Sequence, residues 1–316
     1  MDKMMKSRAY KKFIRIGQLK TRAEYNKYVT LMAARAILTT AVTITLFFIL
    51  TTRIGNSAMH DNFTEFLIST AVQFAAALGL SMLFFFVLLA VQLSTQKKQY
   101  DILEKELVSD NYIQNLSKQL EKHKNVPTLY AYQLANAYIE RGEFIAARDC
   151  ILNYSDRNFV KNPQNALMFF TSLLEIYVKM NDIASAKTVY IDGFFYLNAY
   201  SDSYEKGCAV NYAFAIYETM LGNYDRSDEF LDKSYRQSRE LISSNKKAAG
   251  CLKDVIDIQY NYTKARNCFG RGEFKDVARY LNKADSCKPR QYYKVCCDSL
   301  RSALNDVYEA ETPRES

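Results

Sequence analysis

Two long stretches without a charged residue limit this chain more than any other feature. Ala36–Thr52 reads AILTTAVTITLFFILTT, and Phe66–Gln96 runs for 31 positions around the apolar centre SMLFFFVLLAVQL. A bilayer core needs about 20 apolar helical residues. The first stretch reaches that length once Tyr28–Ala34 is added, with Arg35 carrying its guanidinium to the headgroups along its stem. The second exceeds it, so it is expected to tilt or to emerge as helix on the far side. Transmembrane helices are therefore expected over about 30–52 and 66–94. Ala71, Ala75 and Gly79 recur every fourth residue on the second and would allow close helix approach or a homodimer.

Charge decides the expected orientation. The net charge is +8, yet residues 1–34 hold nine Lys and Arg against only Asp2 and Glu24, which leaves the rest close to neutral. The loop at 53–65 offers only Arg53, whereas Lys97, Lys98 and Lys105 follow the second span. By the positive-inside rule the spans form a hairpin with both termini cytoplasmic, in an integral membrane protein (of the cell membrane, if bacterial). The basic arm is long and no small-x-small site follows the first apolar run closely, which favours a retained anchor over a cleaved leader. In the arm, residues 1–28, Lys11, Lys12, Arg15, Lys20 and Lys27 (with Arg22) alternate with Tyr10, Phe13, Ile14 and Leu19. That pattern suits anionic lipid at a membrane surface as well as a simple topology signal. It is not the basic face of a nucleic-acid-binding domain.

Only 10 Gly and 4 Pro interrupt 316 residues, so the expected class is all-α. Residues 97–124 read as an amphipathic stalk helix with Tyr100, Leu103, Leu107, Ile113, Leu116 and Leu120, slipping register near Ser109, where Asp110 is expected to cap a new helix. A stalk-mediated dimer is compatible with this, although sustained heptads are lacking.

From 125 to 316 the chain repeats itself. Four turn residues, Gly142, Asn181, Gly222 and Gly272, stand 39, 41 and 50 residues apart. Two positions on come Phe144, Ile183, Tyr224 and Phe274; five on, Ala147, Ala186, Ser227 and Val277; nine on, Ile151, Tyr190, Leu231 and Leu281. Seven before stand Ala135, Leu174, Ala215 and Ala265. Such a register means helix, tight left-handed turn and returning helix, with small residues where the two cross. Val126–Pro127 and Asn162–Pro163 mark helix starts.

LANAYIERGEFIAARDCI at 134–151 and SLLEIYVKMNDIASAKTVY at 172–190 resemble the tetratricopeptide repeat (TPR) family, through Leu134, Ala135, Tyr138, Gly142 and Ala147 and through Leu173, Tyr177 and Ala186. The third and fourth units depart from it, with Glu218 and Cys268 where an aromatic is usual. All spacings exceed the family's 34 residues, so helices or connections must be extended, and other α-hairpin solenoids fit the pattern too. Following the transmembrane hairpin read from the apolar stretches, the resemblance implies a TPR-like solenoid over about 125–290, and 290–312 reads as its closing helix. It also implies a partner-binding groove lined from the first helix of each pair: Tyr132, Asn136, Thr171, Glu175 and Tyr212. A peptide or protein would occupy that groove. Clamping of a C-terminal carboxylate is disfavoured, because Tyr132 stands where that function needs Lys.

No metalloprotease, hydrolase, dinucleotide or P-loop motif occurs. The only histidines are His60 and His123, and seven cysteines without a C-x-x-C suggest reduced thiols rather than a disulfide framework or a zinc site. These features lead us to expect a membrane-anchored scaffold without enzymatic activity, cofactor or metal. The alternative is a regulatory subunit of an oligomeric transporter or channel.

Overall fold

The computed structural model describes residues 8–55, 63–105, 109–122, 128–159, 161–243, 246–288 and 290–311. Most of the expected outer loop, the Val126–Pro127 helix start, His60, His123 and the first seven residues lie outside that set. The described residues form helices with no strand. In chain order they are α1 (Arg8–Gly17), α2 (Arg22–Gly55), α3 (Phe63–Lys105), α4 (Asp110–Lys122), α5 (Thr128–Arg141), α6 (Phe144–Tyr154), α7 (Pro163–Lys179), α8 (Ile183–Asn198), α9 (Gly207–Met220), α10 (Tyr224–Ser243), α11 (Lys246–Gly270), α12 (Phe274–Asp285) and α13 (Gln291–Glu311).

The chain divides into two units, one of residues 22–101 and the other of residues 1–21 together with 102–316. The first contains two helices long and apolar enough to cross a membrane, at Arg22–Phe47 and Ile68–Thr95. Apolar side chains surround the Ile68–Thr95 part of α3, with Val72, Leu80, Leu83, Phe84, Val87 and Val91 exposed, a distribution compatible with a lipid environment. Its buried positions are small and one turn apart: Ala41 and Thr45 on α2, Ala77 and Ser81 on α3. Thr45 and Ser81 each donate their hydroxyl to the carbonyl four residues back, at 2.9 and 2.7 Å, so neither buried hydroxyl is left unpaired. Within this chain the expected stripe of Ala71, Ala75 and Gly79 faces outward and not toward the buried positions, and a Cβ added at Gly79 would meet nothing. The reason is register, since Ala77 and Ser81 lie on a different face of the helix.

In the second unit all four expected turn residues adopt the left-handed conformation: Gly142, Gly222 and Gly272 at φ 76–79°, and Asn181 at 56°. Each turn makes the same two hydrogen bonds. The residue after the turn donates five positions back (Glu143, Asp182, Asn223 and Glu273, all 2.9 Å), and the turn residue donates three back at 3.0–3.1 Å. This double bond satisfies carbonyls that a helix end leaves open. The hairpins α5–α6, α7–α8, α9–α10 and α11–α12 pack in sequence, each first helix also touching the next first helix. Ala135, Leu174, Ala215 and Ala265, and the crossing residues Ala147, Ala186, Ser227 and Val277, are all fully buried.

The sequence departures in the third and fourth hairpins have physical causes. Ser227 bonds Thr219 at 2.8 Å and Asn267 at 2.9 Å, and Asn267 and Lys264 reach Asp228 at 2.8 and 3.2 Å. This junction is a polar network, whereas Tyr190 stacked on Tyr217 at 4.5 Å joins the second and third hairpins. The wide last spacing comes from α10 and α11, at 20 and 25 residues.

The stalk does not stand free along its length. The helix emerging from the apolar segment continues to Lys105, and a new one starts where the register slips. Ser109, not Asp110, caps it, its hydroxyl accepting from the Tyr112 N–H at 3.2 Å, while Asp110 pairs with Arg141 at 2.6 Å. Ile113, Leu116 and Leu120 are buried, and α4 packs on α5.

Candidate functional site

Two places in the second unit gather chemistry: the inner face of the hairpin row, and the seat of α1.

On the inner face, α13 turns back across the row and touches α5, α11 and α12, so the last helix reaches the first hairpin. Arg290 pairs with Glu140 of α5 at 2.9 Å, and Tyr292 meets Phe144 edge-on at 5.3 Å. Tyr293 and Tyr212 of α9 share a hydroxyl hydrogen bond of 2.9 Å. Lys179 of α7 sits below them, 4.6 Å from the Tyr292 ring and 5.4 Å from that of Tyr293, and pairs with Glu175 one turn back at 2.8 Å. Burial opposes the Lys179 charge, but Glu175 and the surrounding phenol rings outweigh it and hold the ammonium above the ordinary lysine value. Burial pushes Tyr212, Tyr292 and Tyr293 far up, so all three stay neutral. Burial also raises Glu140, against the lowering effect of Arg290, and its Oε2 has no hydrogen-bond partner.

A fixed ammonium and neutral phenols are poor proton-transfer groups near neutrality. Cys150 and Cys297 are pushed to about 12 and Cys268 to about 11, chiefly by burial, so these thiols stay protonated. Cation–π contacts, buried pairs and a shared phenol bond instead make a clasp that holds α13 on the hairpin row.

The expected groove residues separate accordingly. Glu175 and Tyr212 come together in the clasp, under α13. Tyr132 is buried rather than groove-lining, its phenol raised to about 12 by burial, because α5 turns that face toward α7. Thr171 is half-buried and Asn136 is exposed. Sequence reasoning missed Lys179, Glu140, Arg290, Tyr292 and Tyr293. The Glu175–Lys179 spacing of four was a usable signal, while Tyr292 and Tyr293 read as ordinary start-of-helix aromatics.

The basic arm is a helix seated on the repeat unit. Tyr10, Phe13 and Ile16 are buried. Phe13 packs at 4.5 Å on Tyr200, Tyr10 stacks on Phe195 at 5.7 Å, and the Tyr200 hydroxyl donates to the Phe13 carbonyl at 2.9 Å. Gly17 permits the approach, since an added Cβ would collide with the Ala199 carbonyl. Tyr204 N–H then donates to the Leu19 carbonyl at 2.8 Å, and Lys20 pairs with Asp202 at 3.3 Å. Lys11, Lys12 and Arg15 point outward, and Arg22 and Lys27 are exposed at the start of α2.

No protein-family model matches this sequence, and neither curated proteins nor solved structures give a match.

Proposed function

We propose that the protein is a membrane-anchored scaffold, a TPR-like α-hairpin solenoid held at the cytoplasmic face of a membrane by a two-span hairpin, which recruits or assembles partner proteins. The observation that carries this reading is the seat of α1. The chain before the first apolar helix and the chain after the second belong to one folded unit, joined by the Tyr200–Phe13 and Tyr204–Leu19 hydrogen bonds. A chain so closed must keep both ends of its hairpin on one side, and the basic residues at both ends favour the cytoplasm.

On this reading partners bind the outer helices and turn edges, because α13 occupies the inner face. The test is reciprocal affinity purification of the full-length protein from membranes after mild cross-linking, with accessibility tags at either terminus. A recurrent stoichiometric partner and two cytoplasmic tags support the proposal. Tags on opposite sides, or no partner after cross-linking, would sink it.

The regulatory-subunit alternative has one observation in its favour: the Gln73 carbonyl oxygen, within the second apolar helix, is buried without a hydrogen-bond partner. A neighbouring span that donates to it would complete the site, and co-purification of a multi-span protein would favour this reading.

A further inference from the structure

Most exposed apolar side chains of the second unit are scattered, as they are on any soluble surface. One group is not. On α8, Ile191, Phe194 and Phe195 are 62%, 43% and 40% exposed at positions i, i+3 and i+4, hence on one face, with exposed Lys187 a turn before them. Phe195 is the residue on which Tyr10 stacks, so α1 borders this face. The helix RAYKKFIRIG contains no acidic residue, and Arg8, Lys11 and Lys12 are exposed on it. Nearby acids include Asp192, exposed beside Ile191, Asp156, which accepts from Asn162 and Asn165 at 2.8 and 3.4 Å, and Asp202, which is engaged by Lys20 and Lys233 at 3.3 and 2.5 Å.

Leu19 and Lys20 are pinned to the 200–204 turn, and the first apolar helix begins at Arg22. Sixteen positions separate Lys20 from Ala36, where the uncharged stretch begins, a path of about 24 Å as helix.

We propose that the face made by Ile191, Phe194 and Phe195 of α8, bordered by the basic helix α1 through the Tyr10–Phe195 stack, rests on the anionic lipid surface of the membrane that holds the anchor. The proposal rests on the membrane-anchored reading above. It moves the lipid-inserting residues from the arm, whose aromatics are spent inside the protein, to α8, and leaves the arm the electrostatic part. An apolar patch with a cationic border matches a bilayer of acyl chains beneath negative headgroups.

The chain contains no tryptophan, so a single introduced one reports on its own surroundings. Full-length Ile191→Trp, with Phe194→Trp as a second reporter, is reconstituted in vesicles of phosphatidylglycerol and phosphatidylcholine whose acyl chains are brominated near the headgroup. Val295→Trp, on 61%-exposed α13 surface, and Leu83→Trp, 62% exposed on α3, are the controls. The expected result is a blue-shifted, strongly quenched signal from the α8 reporters, with Val295→Trp unquenched. Lys11→Glu with Lys12→Glu should reduce the α8 quenching several-fold. Quenching at Leu83→Trp with none at either α8 reporter would overturn the docking face while leaving the anchor intact. No quenching at Leu83→Trp would instead overturn the anchored reading itself. Equal α8 quenching in phosphatidylcholine alone would overturn the anionic assignment.

Discussion

Phe13→Ala tests whether the basic arm belongs to the folded unit or merely precedes it. Phe13 is 1% exposed, packed on Tyr200 and Tyr196, and its own carbonyl receives the Tyr200 hydroxyl. Removing a buried Phe ring costs about 3–5 kcal/mol. Burial of Tyr10, Phe13 and Ile16 contributes roughly 5–8 kcal/mol in all, and ordering ten residues consumes much or all of it. The substitution therefore removes about as much as holds α1 in place, and the helix should leave its seat without unfolding the hairpins. Amide hydrogen exchange on the full-length protein in detergent or nanodiscs reads this directly. Residues 8–20 should exchange about a hundredfold faster or more, since 1.4 kcal/mol is a factor of ten, while α7 and α9 keep their protection. Unchanged exchange across 8–20 would refute the seating of α1. Loss of protection throughout the hairpins would refute its being a separable element.

Three further outcomes follow from the clasp and the turns. Lys179→Met leaves Glu175 without its partner beneath α13 and should cost about 3–5 kcal/mol, much of it recovered when Glu175→Gln is added, as measured by denaturant unfolding. Asn181 holds a left-handed conformation at φ 56°, so Asn181→Gly should raise the unfolding midpoint slightly, whereas Gly142→Ala or Gly222→Ala should lose about 1–2 kcal/mol each. Glu140 is raised by burial in the folded protein. A carboxyl raised on folding favours the fold below its unfolded value and loses that advantage as pH rises through the folded one. The stability of Glu140→Gln relative to the parent should therefore grow as pH rises from about 4.5 toward neutrality, and a constant difference would contradict it.

How far the sequence discloses this molecule depends on the range of each interaction. Gly142, Asn181, Gly222 and Gly272 are legible because a left-handed turn residue is a local demand that only a few side chains meet. Helix α1 is legible as an amphipathic segment but not as a seated one. Lipid and protein surfaces require the same apolar spacing, and its partner Tyr200 lies 187 positions away. The inner face has the same difficulty. Tyr132 and Tyr212 occupy the positions that a ligand groove would use, and nothing local announces that Tyr293 of the same chain fills the space above Tyr212. Glu218, which looked like an erosion of the pattern, is 3% exposed and held by Asn223 at 2.8 Å and Arg226 at 3.3 Å. A pattern built on aromatics has no means of anticipating such a substitute.

The 187-residue interval between Phe13 and Tyr200 also orders the making of the protein. On a ribosome adding about 5–20 residues each second, α1 emerges roughly ten to forty seconds before its seat exists, and both apolar helices are made in between. On the membrane-anchored reading, the hairpin would be committed to its membrane while the domain still lacks the turn that α1 will join. A chain that carried its first residues across the bilayer would strand α1 from residues 196–204 for good. On that reading closure of the fold would act as a check on insertion, passed only by chains whose two ends stay in the same compartment.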